Sequence, residues 1–413
     1  MATKMVTVPR QIWYEEGKLQ LTFPESWEVV PCLMNGHDAS QITPEQIKTA
    51  FDNPIGSPPL RKLARGRAEA AIIFDDISRP TRVADLMPYV LEELYSAGIP
   101  DGSIRFICAT GGHGAHTFQD FQKKLGNKIM DNFPVYNHNP YENCTYVGQT
   151  PTGTKLSINS EVMSCDLKIG IGSVIPHAQS GFGGGGKIVL PGIASIDSIE
   201  TFHRWEINAR EAGHGDIVGP GHYIENPMVK DFNEAAKMVG LDLKIDTIVN
   251  GMAEPCAIFV GEPQTEYYEA VKFAVPHYAT KPVPGANVVV VNTYAKGNEA
   301  ILGLLIGIMM LTERGGDLVL IMDCPAGQVV HYLLGSFGEQ ARGRLFTAVN
   351  FKLPWLKRLV VLSPQFEKSM TDWLAIPDTA WVKTWPEVID ILNQDFPAGA
   401  KVAVVPDGTI QYL

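Results

Sequence analysis

The chain alternates between short apolar runs and longer segments with apolar residues three and four apart. "AEAAIIFDD" has buried-strand character and ends in two acids. "VADLMPYVLEELYSAGI" follows with its apolar residues at helical spacing. "IRFICATGG" predicts a second strand ending in a glycine turn, and "TFQDFQKKLG" a second helix. This order predicts an α/β fold on largely parallel sheets, whose loops beyond the strands' carboxyl ends carry the chemistry. After Pro282–Gly285, "KPVPGANVVVVN" restarts the pattern with a new apolar strand, continued by "DLVLIMDC", "RLVVLSP" and "KVAVVPDG". The expectation is two α/β domains, residues 1–278 and 279–413. The active site is expected at their interface, with catalysis in the first domain and the second closing over the substrate.

Composition narrows the function classes. A chain of 413 residues exceeds one ordinary core, which agrees with two domains. The net charge of -11 argues against nucleic acid or an anionic membrane as partner. Cys32, Cys108, Cys144, Cys165, Cys256 and Cys324 form no CxxC pair and read as free buried thiols of a cytoplasmic protein. "MATKMVTVPRQIWYEEGK" has no apolar core, so no signal peptide is expected. The longest apolar run, "AILGLLIGIMML", is shorter than the roughly 20 residues of a membrane span and reads as a buried helix or strand–helix junction.

The stretch "PHAQSGFGGGGKIVLPG" (Pro176 to Gly192) passes two phosphate-motif patterns loosely. A P-loop needs Ser or Thr after its lysine and a helix beginning there, but Ile188 follows Lys187. "IVLPG" reads as an extended segment, which also fails the dinucleotide fingerprint. Glycine loses the most backbone freedom on ordering. So dense a glycine run therefore predicts backbone passing close to something bulky, such as a ligand. Lys187 can serve there as a charge or as a nucleophile.

Three histidines have a context. His113 in "CATGGHGAH" and His177 in "IGIGSVIPHAQSG" each follow a strand and could face one pocket, or each could merely cap its strand. His203 in "SIDSIETFHRWEI" shares a helical face with Ile196, Ile199 and Ile207, behind Ser195 or Asp197 as cap; on spacing alone it reads as a core residue. No HxxxH or HxH pair supports a metal held only by protein side chains. His37, His138, His214, His222, His277 and His331 receive no role. In "FDDISRPT", Arg79 can take a carboxylate through two hydrogen bonds with Asp76 orienting it, or the two can be an ion pair holding a loop.

"DDISRPT", "ATGGH", "PHAQSGFGGGGKIVLPG" and "TFH" resemble, in order and spacing, the nickel-dependent lactate racemase family over roughly residues 10–270. The resemblance implies a nickel-pincer nucleotide, a pyridinium mononucleotide that binds nickel through a carbon and two sulfurs. It implies His203 as the protein's nickel ligand and Lys187 as the residue joined to the cofactor. Thr110, Gly111, Gly183, Gly184, Gly185 and Gly186 would lie against the cofactor. His113 and His177 would be the acid/base pair, both with pKa values near neutrality, and Arg79, oriented by Asp76, would bind the substrate carboxylate. The implied activity is that of an isomerase: racemisation or epimerisation of a 2-hydroxy acid by reversible hydride transfer to the cofactor. Separate cofactor-synthesis proteins would be its maturation partners. The second domain departs from the family, whose glutamine and lysine, three apart, both reach substrate. Here "VNTYAKGNEAILGL" offers Asn298 or Glu299 for the glutamine, with Lys296 displaced. That points away from lactate to another 2-hydroxy acid, larger or sugar-derived. Two other readings stand beside this one: a nucleotide-binding carrier without turnover, and a sugar-acid dehydratase or dehydrogenase using the same site.

Overall fold

The computed structural model describes residues 3–14, 17–311, 315–333, 353, 355–365, 376 and 378–413. The chain begins with a hairpin, β1 (Thr3–Pro9) and β2 (Lys18–Pro24), and a short strand, β3 (Glu28–Pro31). Then come β4 (Ala70–Asp75), β5 (Ile104–Ala109), β6 (Val135–Asn137), the hairpin β7 (Cys144–Gln149) and β8 (Lys155–Asn159), and β9 (Leu167–Ser173). A two-residue pair, β10 (Pro176–His177) and β11 (Gly181–Phe182), precedes β12 (Leu243–Val249) and β13 (Pro255–Gly261). The second half contributes β14 (Val288–Asn292), β15 (Gly316–Ile321), β16 (Leu356–Leu362), β17 (Ala380–Val382) and β18 (Lys401–Val405).

These strands form two six-stranded sheets, ordered β13-β12-β9-β4-β5-β6 and β17-β16-β15-β14-β18-β3. Apart from the antiparallel β12–β13 pair, all pairings within them are parallel. Strands β4, β9, β12 and β14 are buried at every position, which is why they read as unbroken apolar runs. Helix Val83–Ser96 covers one face of the first sheet, and helices Ile196–Glu211, Pro227–Val239 and Pro263–Tyr278 the other. Helices Ile301–Met310 and Trp385–Asp395 cover the two faces of the second sheet. The run "AILGLLIGIMML" is thus largely helix, and no helix among the described residues is long and apolar enough to cross a membrane. All six cysteines are free thiols.

Each sheet reverses its winding at a central strand. From β4 the chain moves outward to β5 and β6, then returns to β9 on β4's other edge. From β14 it moves outward through β15, then returns to β18. Such switch points open a crevice beyond the strand carboxyl ends. One placement departs from a division at 278/279. Strand β3 pairs with β18, and Val8, Leu21, Phe23 and Trp27 are buried with Val288, Val402 and Trp385 of the second sheet. The β1–β2 hairpin has one apolar face and no local element to cover it, so it crosses to the far sheet. Its local pattern carries no trace of that destination.

Candidate functional site

The loops beyond β4, β5, β9 and β14 deliver the candidate residues, so each leaves a buried strand at its carboxyl end. Asp76, Ser78 and Arg79 follow β4; Thr110 and His113 follow β5; His177 and Lys187 follow β9; Lys296 and Glu299 follow β14.

His113 is the best-connected group. Its Nδ1 donates to Asp76 Oδ2 at 2.6 Å, and its Nε2 lies 3.2 Å from Glu299 Oε1. Burial works to lower the pKa of this imidazole, but the two carboxylates outweigh it and raise the value to about 9. Asp76 also accepts the Ser78 N–H at 2.9 Å and the Ser78 hydroxyl, and lies 3.2 Å from His116 Nε2. Against a large burial penalty, His113 and His116 hold the Asp76 carboxyl well below its usual range. The carboxylate of Asp76 therefore orients His113 and not, as expected, Arg79.

Arg79 is held elsewhere. Its guanidinium donates to the Ser78 carbonyl at 3.0 Å, to the Ser78 hydroxyl at 2.7 Å and to Glu299 Oε2. Lys296 Nζ lies 3.2 Å from the same Oε2, is 1% exposed, and makes no aligned hydrogen bond. Burial, with Arg79 adding to it, lowers the Lys296 pKa to about 8 although Glu299 pulls upward. Burial works to raise the Glu299 pKa, yet Arg79, Lys296 and His113 hold it well below the usual carboxylate range. Of the two candidates for the glutamine position, Glu299 enters this cluster. Asn298 instead lines an adjoining cavity of about 280 Å³ with Gln11, His116 and Asp323. Lys296, displaced in sequence, does reach the cluster.

His177, Lys187 and His203 complete the site. His177 Nδ1 accepts the backbone N–H groups of Gln179 and Ser180 at 3.2 and 3.3 Å, contacts an imidazolium could not keep. Burial first, then Lys187, Lys296 and Arg79, push its pKa well below the ordinary histidine value. The two histidines were expected to share a near-neutral pKa; their surroundings drive them apart. Lys187, also desolvated and facing Arg79 and Lys296, is held well below the ordinary lysine value. His203 lies on helix Ile196–Glu211, capped by Ser195 rather than Asp197. Its Nδ1 donates to the Ile199 carbonyl at 2.7 Å, which leaves the Nε2 lone pair available. Burial lowers its pKa to about 4, so the ring is neutral. A backbone acceptor on one ring nitrogen is the usual way to aim the other at a metal. Among the described residues no group of three or more His, Cys, Asp or Glu could hold a metal by itself. The donor set thus fits a metal whose remaining ligands come from a cofactor.

The glycine run is not what its composition suggests. Residues 185–188 form one turn of 3-10 helix, and Val189 and Leu190 continue it as a turn rather than an extended segment. Ile188, Val189 and Leu190 are all buried, and the turn lets three consecutive apolar side chains reach one core. No α-helix begins at Lys187, since the next one starts at Ile196, so the P-loop still fails on the missing helix as well as on Ile188. A Cβ on Gly184 would lie 2.4 Å from Val174, on Gly185 2.7 Å from Tyr267, and on Gly186 2.5 Å from the Phe232 carbonyl. These glycines admit the protein's own side chains and backbone; of the four, only Gly183 would take a Cβ without a clash, in ordinary contact with the Ser173 carbonyl at 3.7 Å. Gly185 N–H also donates to the buried Asp246 at 2.6 Å. Thr110 and Gly111 are likewise engaged within the chain: the Thr110 hydroxyl donates to the His138 carbonyl at 3.2 Å, and Gly111 N–H to the Gly192 carbonyl at 2.9 Å.

His331 had no sequence signal. A backbone bridge sets it against His113, with ring centroids 5.1 Å apart. Gly114 N–H donates to the Val330 carbonyl and Tyr332 N–H to the Gly112 carbonyl, at 2.8 and 2.7 Å, so the second half of the chain clasps the His113 loop. His116 and Ser78 were missed too, although both lie inside the quoted segments "CATGGHGAH" and "FDDISRPT".

Residues 14–215 match the family described as lactate racemase N-terminal domain. The lactate racemase of Thermoanaerobacterium thermosaccharolyticum is 26% identical over 330 residues, which is 77% of this chain and 75% of that protein. The lactate racemase of Lactiplantibacillus plantarum is 33% identical over 226 residues, 54% of this chain and 52% of that protein. Among solved structures, the T. thermosaccharolyticum lactate racemase apoprotein superposes with a TM-score of 0.73 at 21% identity, covering 98% of this chain and 99% of that one. A Thermotoga maritima protein superposes with a TM-score of 0.65 at 18% identity, covering 91% and 99%. The structural likeness bears out the α/β fold with its largely parallel sheets, and residues 14–215 are similar to the N-terminal domain of lactate racemases.

Proposed function

We propose that this protein is an isomerase that racemises or epimerises a 2-hydroxy acid with the help of a nickel-pincer nucleotide. The observation that carries this reading is a pair of buried histidines in unlike charge states. His113 is held protonated between Asp76 and Glu299, and His177 is held neutral by burial and nearby cations; to take a proton it must release the Gln179 and Ser180 N–H groups from Nδ1. Two groups whose surroundings separate their pKa values are a ready acid and base. Inverting one carbon needs both at once: a base to take the hydroxyl proton before the hydrogen on C2 leaves, and an acid to return a proton after it comes back on the other face. His203 would hold the nickel through Nε2, and Lys187, a poorly solvated amine, would attach the nucleotide. The cofactor, when bound, supplies the acceptor and donor of hydride. Arg79 would take the substrate carboxylate, and Asp76 keeps the His113 ring oriented with Nε2 toward the reacting oxygen. A nucleotide carrier would have no use for a buried Asp76–His113 dyad.

The test is chiral analysis of a panel of 2-hydroxy acids with protein made alongside the cofactor-synthesis proteins. His113→Ala and His177→Ala should each lose about 10²–10⁴-fold in turnover while nickel content stays unchanged. His203→Ala should lose the nickel. Full racemisation by either of the first two variants would end the two-base reading.

A further inference from the structure

We propose that Glu299 selects the substrate, making this a site for a 2-hydroxy monocarboxylate with a second hydroxyl on the neighbouring carbon. The inference rests on the racemase reading for the placement of the C2 oxygen and on the geometry of Glu299 for the rest. Glu299 is 7% exposed and closes the short 3-10 turn Gly297–Glu299. Its Oε2 faces Arg79 and Lys296, and its Oε1 faces His113 Nε2. An ionised carboxylate offers about four lone-pair directions and no hydrogen. Arg79 donates to Oε2, Lys296 lies at ion-pair distance from the same oxygen, and His113 Nε2 lies 3.2 Å from Oε1. Oε1 therefore keeps a lone-pair direction open beside His113 Nε2.

That position defines what can sit there. His113 Nε2 is the atom that exchanges a proton with the C2 oxygen, so a group reaching the open direction of Oε1 is attached one carbon away. It must donate a hydrogen bond, as a C3 hydroxyl does. A methyl group would leave a buried carboxylate lone pair unmatched. A second carboxylate would face Glu299 as a like charge.

The charge count agrees. Arg79, Lys296 and protonated His113 outnumber Asp76 and Glu299, and Lys187 faces the same cluster, so a substrate carboxylate meets net positive charge. Lys296 Nζ is buried without an aligned hydrogen bond, so it has donors to spare for that carboxylate alongside Arg79. A neutral glutamine at 299 would leave a larger positive excess and suit a substrate without the extra hydroxyl.

The experiment is calorimetric titration of the full-length, cofactor-free protein with glycerate, lactate and malate, for the wild type, Glu299→Gln and Glu299→Leu. A hydrogen bond to a charged group predicts that the wild type binds glycerate about tenfold or more tighter than lactate, and malate no better than lactate. Glu299→Gln should shrink the glycerate preference several-fold and Glu299→Leu should erase it. Equal affinity for glycerate and lactate in the wild type overturns the proposal, and so does an undiminished preference in Glu299→Gln. The wild-type comparison decides the matter even should a variant fail to fold. Chiral analysis with the cofactor-loaded protein separates this inference from the racemase reading. Inversion of lactate as efficiently as glycerate removes the role of Glu299 and leaves the racemase. Glycerate-selective binding without inversion of any acid leaves Glu299 as the selector and removes the racemase.

Discussion

His113 shows how far a neighbour can move a side chain from its ordinary behaviour. Its pKa of about 9 depends on Asp76 and Glu299 prevailing over burial. The two-base chemistry needs one proton on the histidine pair. Raising the pH through about 9 removes the proton from His113 while His177 is already neutral, so activity should fall on that limb. Asp76→Asn deletes a charge that raises this pKa, so the limb should move to lower pH; a pH–rate profile of both proteins reads it. The sign for stability follows from linkage. The folded-state pKa lies above the unfolded one, so the Asp76–His113 pair stabilises fully below the ordinary histidine value of roughly 6.5 and loses that contribution as pH rises through about 9. Asp76→Asn should therefore lower the unfolding free energy near neutral pH by about 3 kcal/mol, the scale of a broken buried ion pair, and by much less near pH 10. His113, Arg79 and Asp76 could be nominated from sequence because each stands in a turn that directly follows a strand. His331 could not, since "QVVHYLL" has no turn residue beside it and only tertiary pairing sets it against His113.

Among the elements, the glycine loop is where local reading erred most usefully. Its excess glycine does mark close approach, but mainly to Val174, Tyr267 and Phe232. Gly185 also has a φ of +53°, which adds backbone strain to any substitution there. Gly185→Ala and Gly186→Ala should each destabilise the protein by about 1–3 kcal/mol, the range for overpacking a tight core. Gly183→Ala should be nearly neutral in stability. Chemical denaturation of the three variants gives the comparison, and equal effects at 183 and 186 would count against the packing account. The 3-10 turn Gly297–Glu299 corrects the displaced lysine. Residues three apart eclipse in such a turn, so Lys296 and Glu299 fall on one side, 3.2 Å apart.

At the scale of the molecule, the crevice between two switch points explains why site residues come from four strand ends in two sheets. Strands β1 to β3 pack with the second sheet, so a chain starting at residue 32 should lose more than a flexible end. It would uncover the apolar surface around Val288, Val402 and Trp385 and forfeit the burial of Val8, Leu21, Phe23 and Trp27. Full burial of a large apolar side chain is worth about 1.5–3 kcal/mol, so four of them exceed what a marginal fold can spare. Such a chain should aggregate or melt in two steps by circular dichroism, where the full chain melts in one. The sequence by itself determined the strands, the helices and the loops that carry chemistry, because those depend on residue spacing within a few turns of chain. It also held the motifs of the first half, since each is a continuous segment. Only the tertiary structure decided that β3 pairs with β18, that Glu299 meets Arg79 across 220 residues, and that two histidines of similar local context take opposite charge states. The reason is physical: burial and Coulomb interactions depend on distance in space, and strand-end loops leave no periodic trace of what they will face.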